Sequence, residues 1–308
     1  MKKEENAALT APDAGGASGG SSRPDWRAYG CILAGAALWG MIGLFNRNLL
    51  NGGFSPYSIV VVRNFGGLLA LLLIFAIRDR RVFRVDKRHL KYFFGTGVVS
   101  VLLFTVCYFS CQRICSLAVA SILLYTAHSI VVLLSALLWR EPVTRRKLSA
   151  LGLTLVGCAC VTGLFSGDLT VSVQGILLGL GAGFFYALYS IFGRYALQAG
   201  YDSMTVTVWT FVFAGIGSLF FIRPAELALL GRPSMALLSL GLVAISTVAP
   251  YLLYTAGLSR VESGKASIMA SLEPVVASLI GVLVFGEPMS LLTCGGILCV
   301  LAGVWILK

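Results

Sequence analysis

The chain has 308 residues, of which 57% are hydrophobic without counting glycine and 12% are charged, and its formal net charge is +11. Soluble domains reach about 45–50% apolar residues only when glycine is included, and about 25% of their residues are charged. This composition excludes an ordinary soluble protein and predicts a chain that lies largely in a lipid bilayer. The positive charge does not indicate nucleic-acid binding, because the Lys and Arg residues flank apolar segments.

The chain begins with residues 1–28, which are polar, rich in glycine and serine and mixed in charge. Because this segment has no apolar core, we predict a disordered cytoplasmic tail rather than a signal peptide or a span. Ten apolar stretches follow, each near the 20 residues that a spanning helix needs. They cover residues 29–50, 58–77, 92–111, 117–139, 148–165, 173–197, 204–222, 235–254, 264–285 and 290–307. The predicted fold class is an all-α membrane protein with ten transmembrane helices and short loops.

The distribution of Lys and Arg predicts the orientation, because these residues concentrate in cytoplasmic loops. With the N terminus inside, the cytoplasmic segments hold 19 of them and the outer segments hold 4, while Arg63 lies within a span. This asymmetry predicts that both termini are cytoplasmic and that the number of spans is even. We therefore expect a multi-pass protein of the bacterial cytoplasmic membrane.

The chain contains an internal repeat. The segment SILLYTAHSIVVLLSALLWREP at 121–142 aligns with SIMASLEPVVASLIGVLVFGEP at 267–288, an offset of 146 residues. An offset of 147 places Trp39 over Tyr186 and Arg47 over Arg194. We expect two repeats, residues 29–165 and 173–308, of five spans each. Since five is odd, the second repeat enters the membrane from the other side, and such inverted repeats are typical of secondary transporters with a site near the midplane.

These residues resemble the EamA-like family of the drug/metabolite transporter superfamily. The resemblance is carried by ALWGMIGLFNRNLL, VVVRN and the block ending in REP in the first half, and by GAGFFYALYSIFGRYAL and the block ending in GEP in the second. It covers about residues 29–307. It implies ten helices, cytoplasmic termini, a central cavity lined by both halves, and transport of amino acids or other small metabolites. Where the family commonly has proline in the fourth span, this chain has His128 opposite its repeat counterpart Pro274, which predicts a weaker kink in the first half.

Glu273 is the principal candidate residue. Ionisable groups inside a span cost about 2.5–3.5 kcal/mol each and are commonly functional. Helical periodicity places Glu273 on one face with Ala266, Ala270 and Ala277, and bulky residues including Ile268 on the opposite face, which is expected to contact lipid. The carboxylate is predicted to point inward. Two interpretations stay open: a proton-coupling or substrate-ammonium site, and a structural residue that bonds backbone freed by Pro274.

Two further ionisable residues lie within predicted spans. His128, in the fourth span, is interpreted either as a substrate contact or pH-responsive group or as a packing residue. Arg63, in the second span, could bind a substrate carboxylate, could extend toward the outer surface or could bond carbonyl groups at a helix end. Glu141-Pro142 and Glu287-Pro288 end the fourth and ninth spans and are interpreted as marks of tight connections, because proline disfavours helix at the preceding residue.

The expected cavity-lining helices also carry aromatic residues. The candidates for substrate stacking or gating are Trp39, Tyr125, Tyr186, Tyr189 and Tyr254, of which we expect two or three to contact substrate. Eight cysteines lie almost entirely within apolar stretches and lack the CxxC spacing of structural zinc sites. We therefore predict no metal site and no cofactor.

These features predict a secondary transporter that moves a small metabolite by alternating access, with proton coupling through Glu273 as one hypothesis. The expected partners are a small-molecule substrate and the lipid bilayer, with monomer and homodimer both open. We predict no enzymatic activity, since there are only two histidines and neither HExxH nor GxSxG occurs. No GxxxxGK[ST] phosphate loop is present. A substrate-selective channel and a non-transporting membrane scaffold are the alternatives.

Overall fold

The computed structural model describes residues 25–165 and 171–307. Most of the predicted tail, 1–28, lies outside the described residues, as does Lys308. Within the described ranges every regular element is helical, as predicted, and no β-strand occurs. The first helix begins at Trp26, three residues earlier than expected, because the side chain of Asp25 accepts a hydrogen bond from the Ala28 N–H at 3.2 Å and caps it.

Within the described ranges, ten long helical segments follow the chain order of the predicted spans. They are α1 (Trp26–Asn51), α2 (Pro56–Arg78), α3 (Lys87–Gln112), α4 (Leu117–Trp139), α5 (Arg145–Val161), α6 (Val173–Gln198), α7 (Ser203–Phe221), α8 (Pro233–Leu258), α9 (Ser263–Phe285) and α10 (Leu291–Ile306). All except α5 and α10 are long and apolar enough to cross a membrane. Short helical turns lie in the connecting segments, for example at Arg80–Phe83 and Pro224–Leu227. The protein is therefore a multi-pass membrane protein.

Helices α5 and α10 are shorter than predicted, with 17 and 16 residues. At about 1.5 Å per residue each spans roughly 25 Å, slightly less than the hydrocarbon core of a bilayer. Both begin with the same cap: the hydroxyl of Thr144 accepts from the Lys147 N–H, and that of Ser290 accepts from the Thr293 N–H. The cap at Thr144 starts α5 three residues earlier than apolarity alone indicates and brings three cations into its first turn.

The two halves repeat local structure at the spacing of the sequence repeat. Ser55 caps α2 through the Ser58 N–H, and Asp202, 147 residues later, caps α7 through the Thr205 N–H. The glycine before each cap, Gly53 or Gly200, has a positive φ of 103° or 91°. These matches extend the sequence repeat into backbone conformation.

A third match lies at the ends of α4 and α9. Arg140 and its counterpart Gly286 both adopt the left-handed conformation, with φ of 55° and 66°. Glycine takes this conformation without a steric penalty, whereas a side chain costs about 1–2 kcal/mol there. Among the described residues Arg140 is the only non-glycine with a positive φ.

The ends of the helices form two surfaces. At one end, which we call the basic end, lie the starts of the odd-numbered helices and the finishes of the even-numbered ones. Asp25 pairs there with Arg260 at 3.2 Å, and His89 bonds the hydroxyl of Tyr201 at 2.9 Å. At the opposite end Glu226 accepts from the backbone N–H of Ser55 at 2.6 Å.

Small residues allow close helix packing, for example at Gly179 and Gly183. A Cβ at Gly179 would lie 2.5 Å from Leu123 Cδ1, and one at Gly183 would lie 2.8 Å from the Leu123 carbonyl oxygen, so α6 fits against α4 only without side chains there. Equally close approaches occur between α1 and α8 and between α5 and α10. This packing places α1, α3, α4, α6, α8 and α9 around the centre of the bundle.

Helix α9 is interrupted at Ser271, while α4 is continuous. Pro274 has no N–H for the carbonyl of Ala270, and its ring crowds that carbonyl, so the helix breaks there. The prediction that His128 weakens the kink in the first half is confirmed. The predicted faces of α9 were partly wrong: Ala266 and Ala270 are buried, but Ile268 is fully buried and Ala277 is exposed. The single helical period does not continue through the break.

Candidate functional site

A small cavity lies at the centre of the bundle, between helices of both halves. Its walls are largely aromatic, formed by Trp39, Phe104, Tyr186, Tyr189, Tyr251 and Tyr254. Its volume is about 10 Å³, which has room for about one water molecule. No molecule much larger than water therefore fits between the aromatic side chains in this conformation.

The ring contacts hold these side chains in one cluster. Trp39 packs against Tyr251 and Tyr254 with ring centroids 5.1 and 5.2 Å apart, and Tyr189 packs against Tyr251 at 5.1 Å. Such separations are favourable for edge and tilted aromatic pairs. The Tyr189 hydroxyl bonds Thr255 at 2.6 Å, and the Tyr254 hydroxyl bonds Ser190 at 2.9 Å. These bonds fix the ring orientations of two walls from α6 and α8.

Two of the helices that line the cavity contain a π-helical segment: Gly95–Leu102 in α3, which contributes Ser100 and Val101 to the wall, and Ala244–Val248 in α8, which precedes Tyr251. Both finish at equivalent positions of the repeat, since 248 is 146 residues after 102. Pro250 explains the segment in α8 because it cannot donate to the carbonyl of Ser246. Nothing in the structure explains the one in α3, where Phe104 stands opposite Pro250. Single π-helical turns frequently occur at functional sites.

Glu273 lies just beyond the break in α9. Its side chain is half-buried and makes no hydrogen bond or ion pair with any residue that the structure describes. In particular, it does not bond the backbone freed by Pro274. Helix α1 approaches closely here, since a Cβ at Gly40 would lie 2.6 Å from the Glu273 carbonyl oxygen.

Arg63 extends from α2 toward the aromatic cluster. Its Nη2 donates to the hydroxyl of Tyr251 over 3.5 Å, a long contact, and its buried Nε has no partner among the described residues. A guanidinium has five N–H donors and binds carboxylates in a bidentate manner. Arg63 therefore retains donors that an anionic group could use.

His128 lies behind the cavity wall rather than in it. Its Nδ1 bonds the hydroxyl of Ser267 at 3.0 Å, and Ser267 itself borders the cavity. The ring stacks on Tyr125 at a centroid distance of 5.8 Å. Its Nε2 is buried without a partner within the described part of the chain. His128 thus joins α4 to α9 and supports the wall from outside.

The structure brings the candidates from the sequence into one region. Four of them, Trp39, Tyr186, Tyr189 and Tyr254, border the cavity, while Tyr125 is buried with His128 behind it. Sequence reasoning missed Tyr251, which contacts Trp39, Tyr189, Phe211 and Arg63 and is the centre of the cluster. Its position one helical turn from Tyr254 on the same face was the available signal.

A buried ionic network closes the basic end. The carboxylate of Glu141 accepts from Arg194, and also from the backbone N–H groups of Ser263 and Gly264 at 3.1 and 3.3 Å. Lys147 lies 3.5 Å from Glu141 and 3.0 Å from Glu262. The side chains of Glu141 and Lys147 are only 5% and 2% exposed. The interpretation of Glu141 as only the mark of a tight connection was therefore wrong, because its carboxylate links α4 to α5, α6 and α9.

The opposite end has a related pair that is open to solvent. Arg47 and Glu287, the counterparts of Arg194 and Glu141, form an ion pair at 2.7 Å with side chains 50% and 55% exposed. Both arginines also lie over an aromatic ring. The distance from guanidinium carbon to ring centroid is 4.4 Å for Arg194 over Trp139 and 4.2 Å for Arg47 over Phe285. The same constellation is thus buried at one end and exposed at the other.

Comparison with known proteins identifies relatives along almost the whole chain. An uncharacterized transporter of Archaeoglobus fulgidus is 31% identical over 277 residues, which is 89% of this chain and 94% of that protein. The uncharacterized inner membrane transporter YicL of Salmonella typhimurium is 26% identical, covering 90% of this chain and 93% of YicL. A solved crystal structure with 17% identity has the same fold, with a TM-score of 0.72 over 91% of this chain and 95% of that chain.

The family comparison agrees with the repeat in the structure. The EamA-like transporter family matches twice, over residues 26–163 and 173–308. The first match contains α1 to α5 and the second contains α6 to α10, so each helix pair related by the repeat is divided between them. The chain therefore belongs to the EamA-like transporter family.

Proposed function

We propose that this protein is a secondary transporter that carries a small zwitterionic metabolite, such as an amino acid or a related amphiphile, across the bacterial cytoplasmic membrane. Its ten helices would span the membrane as two inverted repeats of five, with both termini and the basic end in the cytoplasm. The observation that carries the proposal is Glu273, an unpaired carboxylate at the break of α9 beside a closed aromatic cavity.

The distribution of charge supports a zwitterionic substrate. Arg63 has unused donors for a carboxylate, and Glu273 offers an acceptor for an ammonium group. The aromatic walls between α1, α6 and α8 provide apolar area for a side chain and ring faces that attract cations. One polar group of each sign beside an apolar cavity matches the chemistry of an amino acid.

Closure at the basic end supports a carrier rather than a channel. A channel needs a continuous path, whereas here the buried network around Glu141 and Lys147 seals one end and the cavity holds about 10 Å³. Alternating access allows transport without a continuous path, since the two halves can exchange their conformations and open the cavity to one side at a time.

Glu273 is also the proposed proton-coupling residue. The carboxylate lies beside the break of α9 and has no hydrogen-bond or ion-pair partner among the described residues, so it is available to a proton or to a substrate ammonium group. Binding and release of substrate would then change the protonation of Glu273. Coupling follows because the same carboxylate cannot hold a proton and pair fully with a substrate ammonium group.

The test is uptake in liposomes. We would reconstitute the protein and measure uptake of a panel of radiolabelled amino acids and related metabolites, with and without an imposed pH gradient. Wild type is compared with Glu273→Gln, which keeps the shape but not the titration. Asp79→Asn is the matched control, because Asp79 is an exposed carboxylate in the connection after α2.

We expect saturable uptake that the pH gradient accelerates in wild type and in Asp79→Asn. In Glu273→Gln the accelerated part should be lost, while exchange of labelled for unlabelled substrate persists. Equal gradient dependence in Glu273→Gln would disprove proton coupling through this residue. Uptake that never saturates would favour the channel, and the absence of uptake for every compound would favour the scaffold.

A further inference from the structure

The inference concerns how the two ends close in turn, and it rests on the proposed transport function. At the basic end, Glu141 binds the start of α9 through the N–H groups of Ser263 and Gly264. The first N–H groups of a helix have no partner inside the helix, and an anion there is favoured by the helix dipole. Glu141, which lies directly after α4, therefore fastens the end of α4 to the start of α9.

The repeat supplies the same parts at the opposite end. At an offset of 146 the counterpart of Glu141 is Glu287, directly after α9, and the counterparts of Ser263 and Gly264 are Leu117 and Ala118, at the start of α4. Arg47 pairs with Glu287 as Arg194 pairs with Glu141. The acidic residue, its arginine and the helix start are all present, yet the carboxylate of Glu287 bonds only Arg47 among the described residues.

We propose that Glu141 and Glu287 act as alternating clasps: when Glu141 releases the start of α9, Glu287 binds the N–H groups of Leu117 and Ala118 at the start of α4. The conformation described here is the one with the basic end closed. In the exchanged conformation Arg47 and Glu287 become buried, and Arg194 and Glu141 become exposed. Both glutamates are positioning residues for transport, although neither borders the cavity.

The two clasps differ in strength. Lys147 and Glu262 add a second ion pair at the basic end, with Nζ to Oε2 at 3.0 Å, in which the lysine is buried and the glutamate is partly exposed. Their counterparts at the opposite end are Thr293 and Ser116, which carry no charge. Closure of the basic end therefore has interactions that closure of the opposite end lacks, so we infer that the conformation closed at the basic end predominates without substrate.

Hydrogen–deuterium exchange of the full chain in nanodiscs tests the clasps without any substrate. The measured quantities are the exchange rates of the peptides that contain residues 263–264 and 117–118. Glu287→Gln removes the clasp that is open in this structure, so the basic end should stay closed longer, and exchange at 263–264 should slow severalfold. Glu141→Gln should accelerate exchange at 263–264 and slow it at 117–118.

A matched control keeps the test specific. Arg223 forms an exposed ion pair with Glu226 at the same end as Arg47, and Arg223→Gln should leave exchange at both helix starts as in wild type. Unchanged exchange at 263–264 in Glu287→Gln would overturn the proposal. Faster exchange at 263–264 in Glu141→Gln without slower exchange at 117–118 would overturn it too, because Glu141 would then be a static cap.

The variant Glu287→Gln keeps the test decisive even if Glu141→Gln misfolds. If Glu141→Gln does not fold, Glu287→Gln decides alone, since Glu287 is half-exposed and its carboxylate bonds only Arg47 in the described chain. Slower exchange at 263–264 in this variant supports the proposal, and wild-type exchange rejects it. Since no substrate is used, a wild type that transports none of the tested compounds would contradict the proposed function and leave the clasps to be decided by exchange.

Discussion

Replacing Glu141 with Gln should destabilise the protein far more than the same change at Glu287. Glu141 is 5% exposed and faces two cations, Arg194 and Lys147, whereas Glu287 is 55% exposed and faces Arg47 alone. Removing one partner of a buried ion pair costs about 3–5 kcal/mol. Removing one partner of an exposed pair costs about 0–1 kcal/mol.

The expected loss at Glu141 lies near the lower limit of the buried range. Lys147 keeps Glu262 as a partner at 3.0 Å, and the side chain of Arg194 is partly exposed, so neither cation is left wholly uncompensated. The Gln side chain can still accept from the N–H of Ser263. We therefore expect Glu141→Gln to lower the free energy of unfolding by roughly 3 kcal/mol.

Reversible unfolding in mixed detergent micelles measures both variants under one condition. The comparison is well controlled because the two glutamates occupy equivalent positions of the repeat, each before a proline and beside an arginine. An equal and small loss in both variants would refute the reasoning, since it would mean that the network at the basic end is as accessible to water as the pair at the opposite end.

Three further predictions follow from single residues. Arg140→Gly should raise the free energy of unfolding by about 0.5–1 kcal/mol, because glycine adopts the left-handed backbone conformation without steric strain, although it also increases the entropy of the unfolded chain. A melting temperature that is unchanged or lower than that of wild type would contradict this. Tyr251→Phe should raise the substrate concentration for half-maximal uptake, because the hydroxyl contact with Arg63 is lost while the ring packing remains, whereas Tyr251→Ala should abolish uptake because it removes the ring as well. Equal uptake kinetics in Tyr251→Phe and wild type would show that the hydroxyl is not needed. Burial raises the pKa of Glu226, but hydrogen bonds from Ser55, Ser58 and Arg223 outweigh it and lower the pKa to about 2, so Glu226 contributes stability that is complete above the ordinary carboxyl pKa and is lost as the pH falls toward 2. When the pH is lowered from 7 to 3, the melting temperature should therefore fall less in Glu226→Gln than in wild type, and parallel curves for the two proteins would disprove the contribution.

Much of the fold follows from the sequence because membrane spans are set by local apolarity. The stretches, their order and the two-repeat organisation need no knowledge of packing, and the repeat alone places Arg47 over Arg194. Helix starts were less predictable, since α5 begins where Thr144 caps it rather than where apolar residues begin. The change of buried face along α9 could be predicted only with knowledge of where the helix breaks, and Pro274 determines that position through backbone geometry.

The candidate site was predictable only in part. Trp39, Tyr186, Tyr189 and Tyr254 could be selected because they lie on helices expected to face the centre. The central place of Tyr251 depends on how α2, α6 and α8 approach each other, which periodicity does not contain. The role of Glu141 was hidden for the same reason, because its partners come from α5, α6 and α9, as many as 123 residues away along the chain.

The interruption of α9 gives the two halves unequal stiffness. Helix α4 runs unbroken from Leu117 to Trp139 and can transmit a tilt from one end to the other like a rod, whereas α9 is two short rods joined at Ser271. A tilt of α9 near Phe285 therefore need not move Ser263 at its other end. We therefore expect the first half to rock as a single body, while the second half flexes at its joint, next to the carboxylate of Glu273.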